Sequence, residues 1–227
     1  MTIRILSLLL LLVAPLQLLA DMYIDRSIVV FEPGGQPRED VKVSNTSEDV
    51  LYIEVKVSTV INPGKENEAR ETVSDPSELK LIATPSKLVI PPGGQKLIRL
   101  VNLKTTNAEE RVYRIDVTPI VPPLAEDSSQ LRIVVAYQIL TIVQPTTPHT
   151  HLEATRTSNK IVFTNSGNSN ILLSEGRQCS AADQNNCKDL ASRRLYAGNQ
   201  WELELPFDAP LSYSVRSHDG IKKENFK

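Results

Sequence analysis

The sequence predicts an all-β protein built from two β-sandwich domains. From Met22 onward, short runs rich in valine, isoleucine and leucine are cut at regular intervals by Pro, Gly, Asn and Ser clusters, the spacing of sandwich or barrel strands. The apolar repeat of an amphipathic helix is scarce over the same stretch. Gln144-Pro145-Thr146-Thr147-Pro148 then sets two prolines among small polar residues directly after the longest apolar strand, the composition of a domain boundary.

Composition narrows the function classes. Hydrophobic residues make up 41% and charged residues 23%, a globular balance that argues against disorder. With 27 acidic and 25 basic side chains, the chain has no excess positive charge for binding nucleic acid by bulk electrostatics.

Taken in order, residues 1–20 read as a secretory signal peptide: Arg4 gives a positive start, residues 5–13 are almost unbroken apolar, and Ala20 is the small residue before cleavage. Its removal leaves 207 residues with a net charge of −3, since Arg4 is the one charge lost. Residues 23–31 form a β-branched run stopped by Glu32-Pro33-Gly34-Gly35. Val41 and Val43 lead into the turn Asn45-Thr46-Ser47. Residues 50–61 alternate Leu51, Ile53, Val55 and Val57 against Tyr52, Glu54, Lys56 and Ser58, a half-buried strand. Residues 62–78 are polar and charged and read as a long loop, followed by strands at 79–84 and 88–90. Pro91-Pro92-Gly93-Gly94 breaks the chain before a strand at 96–103, and strands at 111–120 and 131–143 flank a short polar loop. About seven strands in roughly 120 residues match an immunoglobulin-like sandwich. The expected first domain is therefore 21–144, the hinge 145–148, and a smaller second sandwich 149–227 with strands at 160–164, 170–174, 201–205 and 211–216. Residues 189–196 fit either a helical turn or a strand, and residues 222–227 are polar enough to fray.

Catalytic chemistry finds little to stand on. His149 and His151 would point the same way on a strand, as metal ligands can, but Glu153 is the one nearby carboxylate, so they read as solvated hinge histidines with no metal and no cofactor. The chain has neither a nucleophile elbow nor a phosphate-cradling glycine loop nor a zinc-protease helix motif. Cys179 and Cys187, separated by seven polar or small residues, fit a disulfide formed in an oxidising compartment better than a redox pair. Closing so short a loop stabilises the second domain by about 2.5 kcal/mol in the chain-entropy account.

The informative stretch is residues 130–145, QLRIVVAYQILTIVQP. Leu131, Ile133, Val135, Tyr137 and Ile139 share one face of an extended strand, and Arg132, Val134, Ala136, Gln138 and Leu140 the other. Both faces turn apolar toward the C-terminal half. Either the strand lies between two layers, or it offers its second face to a partner.

Several local signatures then resemble those of the PapD-like periplasmic pilus chaperones. Met22-Tyr23-Ile24-Asp25-Arg26-Ser27 followed by Val29-Val30-Phe31 is similar to the family's opening strand, and Val43-Ser44-Asn45 to the end of its second. Ile82-Ala83-Thr84-Pro85, Leu88-Val89-Ile90-Pro91-Pro92-Gly93-Gly94-Gln95 and Ile98-Arg99-Leu100 resemble its central segment. Tyr113-Arg114-Ile115 with Pro122-Pro123 resembles the sixth strand, and Gln144-Pro145 the hinge. The resemblance implies two immunoglobulin-like domains in an L-shaped arrangement. It also implies donor-strand complementation: a seventh strand, here Leu131, Ile133, Val135 and Tyr137, inserts into a pilus subunit that lacks one strand and is released at an outer-membrane usher.

The family anchors the subunit's terminal carboxylate between two basic residues. Arg26 matches the first; Leu140 stands where the second, a lysine, belongs, so Arg114 is the expected substitute, with Arg132 and Arg99 behind it. Gln144 stands where the family has a basic interdomain residue, so domain rigidity must come from elsewhere. The resemblance implies protein partners alone, with no nucleic acid and no small-molecule substrate, and self-association of the free chain is expected from an exposed strand. The competing reading is a secreted two-domain structural or adhesive protein whose apolar strand is simply core.

Overall fold

A computed structural model of the chain describes residues 21–121 and 133–227; the expected signal peptide, and Leu131 and Arg132, lie outside them. The first sandwich arises from strands whose buried residues alternate with exposed ones. It comprises β1 (Met22–Ile24), β2 (Ile28–Phe31), β3 (Arg38–Asn45), β4 (Leu51–Ile61), β5 (Ala69–Glu71), β6 (Leu81–Thr84), β7 (Lys87–Ile90), β8 (Gln95–Asn102), β9 (Arg111–Pro119) and β10 (Tyr137–Val143). One sheet has the order β1-β3-β8-β6; the other runs β2-β10-β9-β4-β5, with β7 also on β4. β2 joins β10 in parallel, and the other pairings are antiparallel. Val43, Ile53, Ile98, Leu100, Ile115 and Ile139 interlock between the sheets at essentially zero exposure. Truncating Leu100 or any one of the isoleucines to alanine costs about 2–5 kcal/mol.

The second sandwich comprises β11 (Leu152–Arg156), β12 (Lys160–Asn165), β13 (Ile171–Cys179), β14 (Cys187–Leu190), β15 (Arg193–Leu195), β16 (Gln200–Glu204), β17 (Leu211–Ser217) and β18 (Gly220–Phe226). Its sheets run β11-β12-β16 and β14-β13-β17-β18, with β15 also on β13. Phe163 centres an aromatic core, stacked on Trp201 at 5.8 Å and edge-on to Tyr213 and Phe226 at 5.6 and 5.0 Å. Edge-to-face contacts of this kind contribute beyond the area they bury. A bulge between Ser174 and Arg177 brings Gly176 against Tyr213, where a Cβ atom would lie 2.3 Å from the ring. The Cys179–Cys187 disulfide ties β13 to β14, as their spacing predicts.

Four expectations change on contact with the structure. Within 62–78 the chain forms edge strand β5 and a 3-10 turn, Pro76–Glu78, whose amide at Ser77 is capped by Asp75 at 2.8 Å. Residues 189–196, open between helix and strand in the sequence, end β14 and form β15. Residues 222–227 do not fray: β18 pairs along its length with β17, and Phe226 packs on the second core. The long strand expected at 131–143 has regular pairing only from Tyr137 among the described residues.

Candidate functional site

The two-sided apolar pattern of the 131–143 stretch divides at Tyr137. Downstream, Ile139 and Val143 enter the first core while Leu140 and Ile142 turn the opposite way, against Tyr196 of the second domain together with Val60 and Val112. This half lies between layers, which explains why neither face is polar. Tyr137 fixes the start of the strand, its hydroxyl donating to the Met22 carbonyl at 3.0 Å.

Upstream the situation reverses. Ile133, Val134 and Val135 are 74%, 42% and 40% exposed, and residues 133–136 belong to no ladder. β2 begins to pair only at Ile28 opposite Leu140, so the flank of Tyr137 and Gln138 on that side has no strand beside it among the described residues. The exposed aliphatic side chains of Ile133 and Val135 thus lie immediately upstream of a strand that is paired on both sides.

The ladder places Ile28, Leu140, Arg114 and Ser58 side by side across four strands. Arg114 therefore projects toward the domain junction, away from the first core, and its Nε is buried without a hydrogen-bond partner. Arg26 lies elsewhere. Its guanidinium pairs with Glu39 at 3.0 Å and donates to the Asp40 carbonyl, both on β3. Arg99 is held by both carboxylate oxygens of Asp40 at 2.8 Å, and this bond is the main reason the Asp40 carboxyl sits below its usual range. The structure does not bring Arg26 and Arg114 together; the hydrophobic Ile28 occupies the ladder position beside Leu140.

A polar hub links the two sandwiches. Glu110, just before β9, accepts from the Asn170 amide N–H at 3.0 Å, the Asn170 side chain at 2.5 Å and the Ser169 hydroxyl at 3.4 Å. Arg194 donates to the same Asn170 side chain from the other direction. Burial pushes the Glu110 carboxyl above its usual range, although these hydrogen bonds and Arg194 pull it down. Asn168 spans the junction to the carbonyls of Ala108 and Thr147 at 3.1 and 3.0 Å, and Asn199 reaches the Pro63 carbonyl at 3.0 Å. Sequence reading missed Arg194 and Tyr196, because nothing in their local pattern announces contact with β9.

The histidine pair is exposed, with His151 beside Glu153 at 3.1 Å. Among the described residues, no three His, Cys, Asp or Glu side chains converge as metal ligands.

Known proteins share both sequence and architecture with this chain. The family model described as pili and flagellar-assembly chaperone, PapD N-terminal domain, matches residues 21–149. A CFA/I fimbrial protein of Escherichia coli is 26% identical over 196 residues, covering 82% of each chain. A CS1 fimbrial protein of Escherichia coli is 28% identical over 198 residues, again covering 82% of each. The crystal structure of the class 5 fimbriae chaperone CfaA superposes with a TM-score of 0.65 at 21% identity, over 91% of this chain and 99% of that one. A chain from the Salmonella enterica complex of the SafA pilin with the SafB chaperone gives 0.65 at 14% identity, over 92% and 96%. These two structures share the fold. With its first domain matched throughout, the chain belongs to the PapD-like family of pilus-assembly chaperones.

Proposed function

We propose that this chain is a periplasmic chaperone that holds pilus subunits by donor-strand complementation and hands them to an outer-membrane usher. One observation carries the reading: Ile133 and Val135 are exposed aliphatic side chains on unpaired backbone, immediately upstream of a strand locked between two others. Apolar surface held in water raises the free energy of the unbound chain, and an unpaired backbone invites another strand. A subunit lacking one strand offers the complement, an open sheet edge above a row of empty pockets.

In extended conformation Leu131, Ile133, Val135 and Tyr137 share a face. Burying the first three contributes on the order of 5–9 kcal/mol gross, before ordering costs. Tyr137 already packs on the first core and closes the row at its C-terminal end. Arg114 supplies the charge for the subunit's terminal carboxylate, and a guanidinium suits it by bidentate pairing. No bond is made or broken, so the chaperone is not an enzyme and uses no cofactor; exchange follows when the next subunit supplies a better-fitting strand. Without a subunit, two copies cover each other's exposed row.

The competing reading, a secreted adhesive module, makes no use of an exposed aliphatic row next to an unpaired edge. Co-expression with candidate pilins separates the two. The chain forms a one-to-one complex, and Val135→Asp abolishes it while leaving the thermal midpoint of the free chain within a degree or two, since an exposed site contributes little to stability. A complex that survives Val135→Asp, or a variant that unfolds, contradicts the proposal.

A further inference from the structure

The strand that leads into the exposed row has a register that its apolar side chains do not settle. Ile139 and Val143 enter the first core, and Leu140 and Ile142 pack at the junction with the second domain. Sliding β10 by one residue would exchange one aliphatic pair for the other with little loss of burial, yet it would turn every side chain upstream to the opposite face. Ile133 and Val135 would then trade places with Val134 and Ala136. Polar groups must set the register. Thr141 does not, because its buried hydroxyl has no hydrogen-bond partner among the described residues.

Gln138 has the contacts to do so. It stands directly opposite Asp116 in the ladder with β9, and its Nε2 donates to Asp116 Oδ1 at 2.6 Å. Its Oε1 accepts from Arg70 at 3.1 Å, so the amide is strung between a carboxylate and a guanidinium, and charge orients both of its ends. Arg70 belongs to edge strand β5, three strands from β10 in the sheet order. Lys56, across from Asp116 on β4, pairs with Glu54 at 2.8 Å instead. One residue before Gln138, the Tyr137 hydroxyl donates to the Met22 carbonyl, so adjacent residues are tied on opposite faces of the strand where its pairing begins. Any slip breaks these ties: moved by one residue, Gln138 turns to the core face; moved by two, it stands opposite Arg114 or Thr118.

We infer that Gln138, held between Asp116 and Arg70, is the register latch of the donated strand, a positioning residue that decides which face of residues 133–136 a pilus subunit receives. The inference rests on the chaperone reading and deepens it. Strand ends open first where backbone bonds are few, and a charge-assisted tie at the first rung holds that end closed. The free chain thus presents Ile133 and Val135 in one orientation, and capture of a subunit carries no cost of ordering the strand beneath them. It also gives the edge strand β5 a part in subunit binding.

A charge swap tests the latch. Gln138→Glu sets two carboxylates opposite each other on neighbouring strands, which is destabilising, whereas Gln138→Glu combined with Asp116→Asn rebuilds the chain of hydrogen bonds with donor and acceptor exchanged and Arg70 still engaged. In the free chain, Gln138→Glu is expected to speed amide exchange at Tyr137 and Ile139 about tenfold, while Val143 at the far end of β10 keeps its rate and the combined substitution restores all three. The face is read in the co-expressed complex with a pilin, by Val134→Cys and Val135→Cys in separate proteins; the two natural cysteines are already joined in a disulfide. Position 135 is expected to be shielded from a thiol reagent and position 134 labelled. Gln138→Glu is expected to bring the two labelling rates together, and the combined substitution to part them again. Acceleration that reaches Val143 equally, or a combined substitution that rescues nothing, marks a merely structural role and overturns the latch. If Val135→Asp destroys the complex but Gln138→Glu leaves exchange and labelling unchanged, the latch is wrong and the chaperone reading stands. If Val135→Asp leaves the complex intact, that reading has failed, and the latch with it.

Discussion

Glu110 shows how one side chain ties the stability of this chain to pH. Its carboxyl is raised chiefly by burial, so the folded state keeps a proton at pH values where the unfolded chain has released it. Between the ordinary glutamate value and the raised one, the unfolded state binds fewer protons, and stability falls as pH rises. Glu110→Gln removes that cost while retaining an acceptor for Asn170. Urea midpoints measured from pH 4 to 7 are expected to show the variant gaining on the natural chain as pH rises and then levelling off; a variant that loses ground contradicts the assignment. At Gly176 the constraint is steric: Gly176→Ala drives a methyl group into the Tyr213 ring and costs about 1–3 kcal/mol in denaturant unfolding. An unchanged midpoint means that the bulge yields more easily than the contact implies.

The elements of the first sandwich were largely legible because their strands are half-buried and alternate. Leu51, Ile53 and Val55 against Tyr52, Glu54 and Lys56 give β4 from the sequence alone. The edge strands were not. β18 carries Lys222, Lys223, Glu224 and Asn225, the polar dress of an edge, and resembles a fraying tail until Phe226 is seen on Phe163. β14 and β15 are too short for a periodic signal and exist because β13 pairs with them. The stretch at 131–143 held two answers at once, and pattern alone could not divide them: from Tyr137 onward it is apolar on both faces because the second domain covers one of them, while residues 133–135 stand exposed among the described residues. At this scale the Cys179–Cys187 link is worth testing. Replacing both cysteines by alanine is expected to lower second-domain stability by about 2.5 kcal/mol, read from chemical denaturation of the non-reduced proteins. No change would mean that the β13–β14 hairpin is held by its ladder alone.

Across the whole molecule, the decisive contacts join residues far apart in sequence. That Gln144 is not basic was visible from the sequence, and so was the need for another source of rigidity. The source itself was not, because Glu110 meets Asn170 and Tyr196 meets Leu140 only after both sandwiches have formed. The same holds for Arg114: its place on the strand beside the seventh was expected from the sequence, but the Tyr196 that packs on its neighbours Val112 and Leu140 comes from the second domain. Tyr196→Ala removes the aromatic plug from the junction. The first domain's core is expected to stay intact while amide exchange accelerates at Val112 and Ile142, and exchange unchanged there contradicts its role.

Above all, the chaperone reading requires residues 131–139 to lend a strand to an incomplete partner, and hydrogen exchange resolved along the chain is the decisive measurement. In the free protein the amides of residues 133–136 have no ladder and should exchange within seconds, while those of residues 139–143 are protected. In the one-to-one complex with a pilus subunit, protection is expected to extend upstream through residues 131–138 and to appear at alternate amides facing the subunit, as in a β ladder. Residues 133–136 that exchange as fast in the complex as in the free chain would contradict it.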